Sequence, residues 1–464
     1  MHISPLIVLI GWIPAGALLF RRYPVRIAIL ANFLGGWAIL PGANYQATTD
    51  PFPYWFLGVC LPANYFLTKA TATGLAALLG MLIFHSAEFK RFKPGICDLP
   101  MALWCCVPLL SAAAHPYTLH EGLSGAAYLA ISWVVPWLLG RICFSDGDSL
   151  LLAAKACVIA GVCCVPLCLF EICAGPQLYA FVYGYQPYRW VGAARYIGFR
   201  PTGFFEDGNQ LGIWMAAATL LAVFFALDRL TGRILGLPIG WVAAGLALVT
   251  LLCQSAGSIL LLLFMLPLAL LRRRSMLRPF VAVLVFGILA FALLRMTNLV
   301  SLRALAERNE FARSLSVALN DLGRHSLVWR LARDENHINV ALQTPLLGSG
   351  QWNWWQNGDS RPWSLWLLVF GMYGLVGLIA FGAILLLPVF RAIWTPTKQY
   401  ASGESNLRWA MAALILMVVI DNLVNGAMIL PYLLITGGIA TPRNSYRNSA
   451  SSGRHANLIY SKIS

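Results

Sequence analysis

Charge is what this sequence has least of: of its 464 residues, 11% are charged and 59% hydrophobic, and the mean hydropathy is +0.71. A soluble domain carries about 25% charged residues, so an ordinary soluble fold is excluded. The alternation of polar and apolar residues that a membrane barrel requires is also missing. In its place stand continuous apolar runs of about 17–25 residues, the length of a helix that crosses hydrocarbon. The eleven cysteines (60, 97, 105, 106, 143, 157, 163, 164, 168, 173 and 253) form no C-x-x-C pair and have no histidines at metal-ligand spacing. Nearly all lie inside apolar runs and read as small buried residues, so neither a disulfide framework nor a metal site is expected. No small-residue cleavage site precedes the Arg21–Arg22 pair that closes the first run, and that run is expected to be retained as a span.

Acidic residues are scarcer than basic ones, 18 against 33, for a net charge of +15. In a soluble protein such a surplus points to nucleic acid. Here much of it sits in short clusters between apolar runs, where it sets orientation in a bilayer, and nucleic acid is not an expected partner. Spans are expected at about 3–20, 25–41, 62–84, 96–114, 122–140, 149–173, 207–227, 234–252, 255–271, 279–295, 363–390 and 408–424, with a last apolar run at 426–441. The fold class is therefore an all-α polytopic membrane protein of about 12 (11–13) transmembrane helices, a single integral membrane domain with one long, partly helical periplasmic loop. The basic loops at 21–26, 90–93, 228–233, 272–278 and 391–408 fall on one side, which the positive-inside rule makes the cytoplasm. Segments 42–56, 115–121, 174–206, 253–254 and 296–362 then face outward, and the Ser-, Asn- and Arg-rich tail 442–464 is expected to be a disordered cytoplasmic end. Loop lengths and the spacing of Gly and Pro show no repeat of the transporter kind. Asp98, Glu171, Asp207 and Asp421, the few acidic residues near spans, all lie near expected span ends.

The longest stretch that cannot lie in lipid, 296–362, holds seven arginines (303, 308, 313, 324, 330, 333 and 361), no lysine, and His325 and His337. Arginine without lysine points to oxygen anions, because a planar guanidinium grips phosphate or carboxylate with two parallel hydrogen bonds. Pairing with Glu307, Glu310, Asp321, Asp334 and Glu335 on solvated helix faces is the alternative. Leu327, Leu331, Ile338 and Leu342 recur at helical spacing within 324–343, which predicts a helix that packs on those residues while Arg330, Arg333, Asp334 and His337 face a cavity. A less regular helix is expected at 301–319. Trp352, Trp354 and Trp355 precede the return to the membrane as interface anchors or as platforms for sugar rings.

A second outward patch carries Arg189, Arg195 and Arg200 among aromatics, and leads through Glu206, Asp207 and Asn209 into a span. Asp207 and Asn209 suit a helix cap. Arg200, directly before a proline at the membrane edge, needs a partner, and Glu206 is a local one.

Arg200, Gly203 and Asn209 leading into a span, then Arg324-His-Ser-Leu-Val-Trp329, Pro345, Gly348-Ser-Gly350 and Gly374-Leu-Val-Gly377-Leu378, resemble the shared core of the membrane O-antigen ligases and O-antigen polymerases over roughly 195–380. The resemblance implies transfer of a glycan from a polyprenyl diphosphate to a sugar hydroxyl, at the outer face of the bacterial inner membrane. Where many members carry a histidine at the return to the membrane, this chain has Trp363-Ser364, and where many carry Ser-Arg-Gly it has Ser255-Ala256-Gly257. Because that histidine is associated with the ligase reaction, a polymerase of lipid-linked O-antigen or exopolysaccharide repeat units is the expected activity, with ligation to a lipid A core and transport of the lipid-linked glycan as alternatives. The expected partners are the polyprenyl-diphosphate-linked glycan, the bilayer and a chain-length regulator. On this reading Arg200 neutralises the diphosphate, supported by Arg195, Arg324 and Arg330 with Asn209 and Trp352, so that neither metal nor cofactor is required. His337, His325, Glu206 and Asp207 are the candidates to take the acceptor's proton, and of these His337 and Glu206 are placed with Arg200 as the expected catalytic residues.

Overall fold

The computed structural model describes residues 2–44, 59, 66–115, 119–185, 194–270, 274–297, 309–310, 314, 326–355, 362–395, 403–426 and 428–441. Apart from residues 309, 310 and 314, the expected helix at 301–319 lies outside the described residues, as does the tail 442–464. A helix stands in each of the apolar runs: α1 (Pro5–Arg22), α2 (Val25–Ile39), α3 (Lys69–Phe84), α4 (Leu99–Ala114), α5 (Leu119–Cys143), α6 (Gly147–Ala174), α7 (Gly208–Leu227), α8 (Ile239–Leu252), α9 (Ala256–Leu270), α10 (Arg274–Met296), then α11 (Ser326–Ala341) in the long loop, α12 (Leu365–Trp394), α13 (Glu404–Asp421) and α14 (Tyr432–Ala440). Strand is limited, among the described residues, to one two-residue hairpin, Arg233–Ile234 with Leu237–Pro238. Seven of the helices are long and apolar enough to cross a bilayer, and four shorter ones are apolar. The chain is an all-helical membrane protein.

α7 and α13 are buried on nearly all sides, which places them at the centre of the bundle. Outer helices turn large apolar side chains away from it, among them Ile7, Trp241 and Phe286, each at least 68% exposed. In a bilayer those faces meet lipid tails rather than water. Hydrogen bonds sort the connections between helices to two ends. At one end, His85 reaches the Phe20 carbonyl, Arg26 meets Asp146, Arg141 grips Asp98, and Arg408 donates to the Ser145 carbonyl. This short-loop end carries the basic clusters. At the other, the long-loop end, Gln254 bonds to Ile197, Ser111 to Leu347 and His115 to Gly348, and Lys69 forms an ion pair with Glu206.

Two spans differ from the sequence reading. The apolar run 363–390 reads as one continuous helix, but α12 breaks at Gly374, which has φ 64° and ψ −162°. The chain of the Pro345–Gly350 loop is laid into that break: Leu375 and Val376 donate backbone N–H groups to Pro345 and Leu346, and Ser349 and Gly350 donate to Gly371 and Met372. A Cβ on Gly374 would stand 2.3 Å from the Leu346 carbonyl carbon and 2.5 Å from the Gly348 nitrogen. Gly348 and Gly374, one from each glycine segment, are thus one structural device, two backbones in contact. The last apolar run also does not form a full helix. α14 has nine residues, and the described residues between Asn425 and it are non-helical and buried. Backbone without helix at membrane depth is tolerated where protein surrounds it.

Gly374→Ala, which combines a left-handed φ with that collision, is expected to destabilise the protein by about 2 kcal/mol or more. Thermal unfolding in detergent checks this, and a change below about 0.5 kcal/mol would show that the break is not held by the contact.

Candidate functional site at the long-loop end

The segment that precedes α7 is held from below by a carboxylate. Glu171, fully buried near the end of α6, accepts the backbone N–H groups of Leu178 at 3.0 Å and of Thr202 and Gly203 at 2.7 Å each. Three donors on one carboxylate fold the 174–206 loop back onto the bundle, and these charge-assisted bonds are about twice as strong as neutral ones. The loop's outer edge is tied by Gln254, whose side chain bonds both the N–H and the carbonyl of Ile197.

Arg200 leaves this frame directly over Gly208, so closely that a Cβ there would lie 2.5 Å from Nε. Its Nη2 donates to Asn209 Oδ1 at 2.5 Å and to Ser255 Oγ at 3.3 Å. Asp207 caps α7, accepting the Gln210 N–H at 2.7 Å and the Asn209 side-chain amide at 3.1 Å. Asn209 therefore links guanidinium and carboxylate. Burial pushes the Arg200 guanidinium down to about 10; Asp207 opposes that shift, and the nearby charges of Arg195 and Arg330 add to it. It remains a cation at neutral pH.

Arg330 arrives from α11. Its Nη1 donates to Asn425 Oδ1, and its guanidinium lies 5.1 Å from the centre of the Trp363 ring. Asn425 in turn donates to Asp421 at 2.5 Å, and Asp421 is within electrostatic reach of both Arg330 and Asp207. Burial lowers the Arg330 guanidinium from its usual range, while Asp207, Asp421 and Asp334 draw it back. The Nε atoms of Arg200 and Arg330 are both buried without a hydrogen-bond partner among the described residues. The two buried guanidiniums, with the charge of Arg195 nearby, form a cationic cluster of the chemistry that suits an oxygen anion.

The sequence-derived site residues divide in three. Arg200, Asn209, Arg195 and Arg330, separated by up to 135 positions, come together. Arg324 and His325 lie outside the described residues. Glu206, His337 and Trp352 are placed elsewhere. Glu206 is buried, with its carboxylate 2.5 Å from Lys69 Nζ, and burial raises its carboxyl above the usual range against the pull of that lysine. His337 does not face an open cavity: it is buried, its Nδ1 is 2.8 Å from the Arg333 carbonyl, and its ring meets Trp354 edge-on at 6.4 Å. Trp352 is half-buried against Trp355. The face of α11 that turns inward carries Asp334 with His337, Ile338 and Ala341, while Leu342 is exposed. Ile338 packs inward as its spacing predicts, but Asp334 and His337 are buried beside it instead of facing a cavity, Asp334 because the N–H groups before α12 need an acceptor. Asp334 accepts the N–H groups of Trp363 at 2.5 Å and Ser364 at 3.3 Å, and burial raises its carboxyl from the usual range.

Sequence reasoning passed over Lys69, Ser255, Asn425 and the cap at Asp334. A lone lysine in an apolar run was a usable signal for the first, since a charge there requires a partner. Matched against family models and against curated proteins, the chain resembles none of them at a significant level.

Glu171→Leu removes the acceptor of three buried N–H groups. It is expected to destabilise the fold by about 3 kcal/mol or more and to speed hydrogen exchange at residues 202–203. Unchanged exchange there would show that the loop is held by other contacts.

Proposed function

We propose that the protein transfers a glycan from a polyprenyl diphosphate to a sugar hydroxyl, as a polymerase of lipid-linked repeat units at the outward face of a bacterial inner membrane. The observation that carries this reading is the convergence of Arg200 and Arg330 at the long-loop end, each held by an asparagine and bordered by Asp207 and Asp421. A diphosphate leaving group needs positive charge as the glycosidic bond breaks, and two prepositioned guanidiniums supply it without reorganisation. The anomeric carbon then bonds to the acceptor oxygen while the polyprenyl diphosphate departs with the bonding electron pair. The acceptor's proton requires a base within hydrogen-bond reach. Asp207 meets that need: it is partly exposed and stands among the arginines, whereas Glu206 is occupied by Lys69 and His337 is enclosed by Trp354.

Polymerisation is preferred to ligation because Trp363-Ser364 stands at the return to the membrane. There Trp363 packs beside Arg330, and no imidazole occupies that position. Transport of the lipid-linked glycan is less favoured, because the arginine site is gathered at one end of the bundle. The plan of twelve spans with 174–206 and 296–362 facing the periplasm agrees with the sorting of connections to two ends.

Two measurements test this. Phosphatase fused after Trp355 is expected to be active and a fluorescent protein fused after Thr231 to be bright; the reverse pattern would remove the site from the periplasm. Arg200→Lys keeps the charge but loses the fork. It is expected to cut chain elongation by about tenfold or more in vesicles supplied with lipid-linked repeat units, with membrane abundance unchanged. Normal elongation by this variant would make Arg200 structural.

A further inference from the structure

Lys69 and Glu206 form an ion pair whose side chains are 0% and 3% exposed, with 2.5 Å between Nζ and Oε1. Lys69 opens α3, where Thr68 and Thr71 cap the helix and the Lys69 N–H donates to the Gly42 carbonyl at 3.0 Å. Its ammonium lies 4.5 Å from the centre of the Trp37 ring and 5.3 Å from that of Phe205. Aromatic faces and one carboxylate therefore surround a charge with no route to solvent. A pair this dry gains little net stability, since desolvation of both ions offsets their attraction, and apolar side chains of the same volume commonly serve as well or better. Stability alone does not account for it.

Its position in the chain does. Glu206 is adjacent to Asp207, and the two side chains leave the turn in different directions, one to Lys69 and the other to the start of α7. Gln210 closes the turn, accepting the Glu206 N–H at 3.2 Å while donating its own N–H to Asp207 at 2.7 Å. Upstream, Glu171 holds residues 202 and 203. The stretch between Arg200 and Asp207 is thus pinned at two points by buried carboxylates, one bound to backbone and the other to Lys69.

We propose that the Lys69–Glu206 pair is a positioning device: it fixes the turn from which Asp207 projects, and so sets Asp207 against Arg200 and Arg330 without touching substrate. The inference rests on the glycan-transfer reading for its consequence, though not for its geometry. Lys69 acts across the bundle, tying the first helices of the chain, outside the region of family resemblance, to the site.

The test compares Lys69→Met, Glu206→Leu and the double variant Lys69→Met/Glu206→Leu in the full-length protein, reading thermal midpoint, hydrogen exchange over 203–210 and chain elongation. Each single variant strands a buried partner and is expected to unfold at a lower temperature than wild type. The double variant is expected to recover the wild-type midpoint, yet to exchange at 203–210 at least about tenfold faster and to elongate at least about tenfold more slowly, through kcat rather than KM. A double variant with wild-type exchange and elongation would overturn the proposal, leaving the pair a packing element. So would a double variant no more stable than the single ones, because the two residues would then not act together. Midpoint and exchange are read without substrate. If wild type elongates nothing while the exchange results hold, the reaction is misassigned and the positioning device stands.

Discussion

The arrangement at the long-loop end depends on Glu171, a carboxylate with no solvent around it that accepts three backbone N–H groups from a loop. Away from water those N–H groups have no substitute acceptor of equal strength, and an unmet buried donor is more costly than a hydrogen bond is favourable. The carboxylate is equally dependent on them. This mutual requirement brings Thr202 and Gly203 down to the end of α6 and leaves Arg200 at the mouth of α7. Lys69 does the same from the opposite side of the turn through Glu206.

Asp334 repeats the principle at the second half of the site. The first segment of α12 starts at Leu365, whose N–H is accepted by the carbonyls of Asn422 and Asn425, while the two preceding N–H groups go to Asp334. One turn of α11 separates Asp334 from Arg330, so capping α12 also sets the height of the guanidinium that meets Asn425. The elements that carry the arginines are thus bound to each other through helix ends and turns as well as through apolar packing of residues such as Ile338 and Ala341. Apolar packing sets where the helices stand; these polar contacts set what faces the pocket. Together they give a cationic site whose charge is supplied by fixed groups, the feature on which the proposed stabilisation of a departing diphosphate rests.

The sequence shows the helices well, because spanning a bilayer imposes a length and a composition that survive any tertiary detail. Arg200 and Asn209 are singled out by the family resemblance, whereas the residues alone suggest Glu206 as the partner of Arg200, a place that Asn209 takes in the structure. Other features are invisible for physical reasons. Glu206 and Asp207 are neighbours of the same chemistry, and which one turns inward is decided by Lys69, 137 positions earlier. The apolar stripe predicted over 324–343 includes Leu342, which lies just past the end of α11 and is exposed, whereas Asp334 within the helix is buried because the N–H groups before α12 need an acceptor. Gly374 sits in an apolar run where glycine reads as permissive, and only the backbone of Leu346 against it reveals a break. Asn425 has no motif around it, and its meeting with Arg330 is purely tertiary.

The central claim, that Arg200 and Arg330 together bind a diphosphate, is tested most directly by equilibrium binding of undecaprenyl diphosphate and undecaprenyl monophosphate to the purified protein. Two guanidinium forks are expected to favour the diphosphate by about tenfold or more, and Arg200→Lys/Arg330→Lys is expected to abolish that preference while both lipids still bind. Equal affinity of the wild-type protein for the two lipids, or a preference that survives the double substitution, would contradict the account.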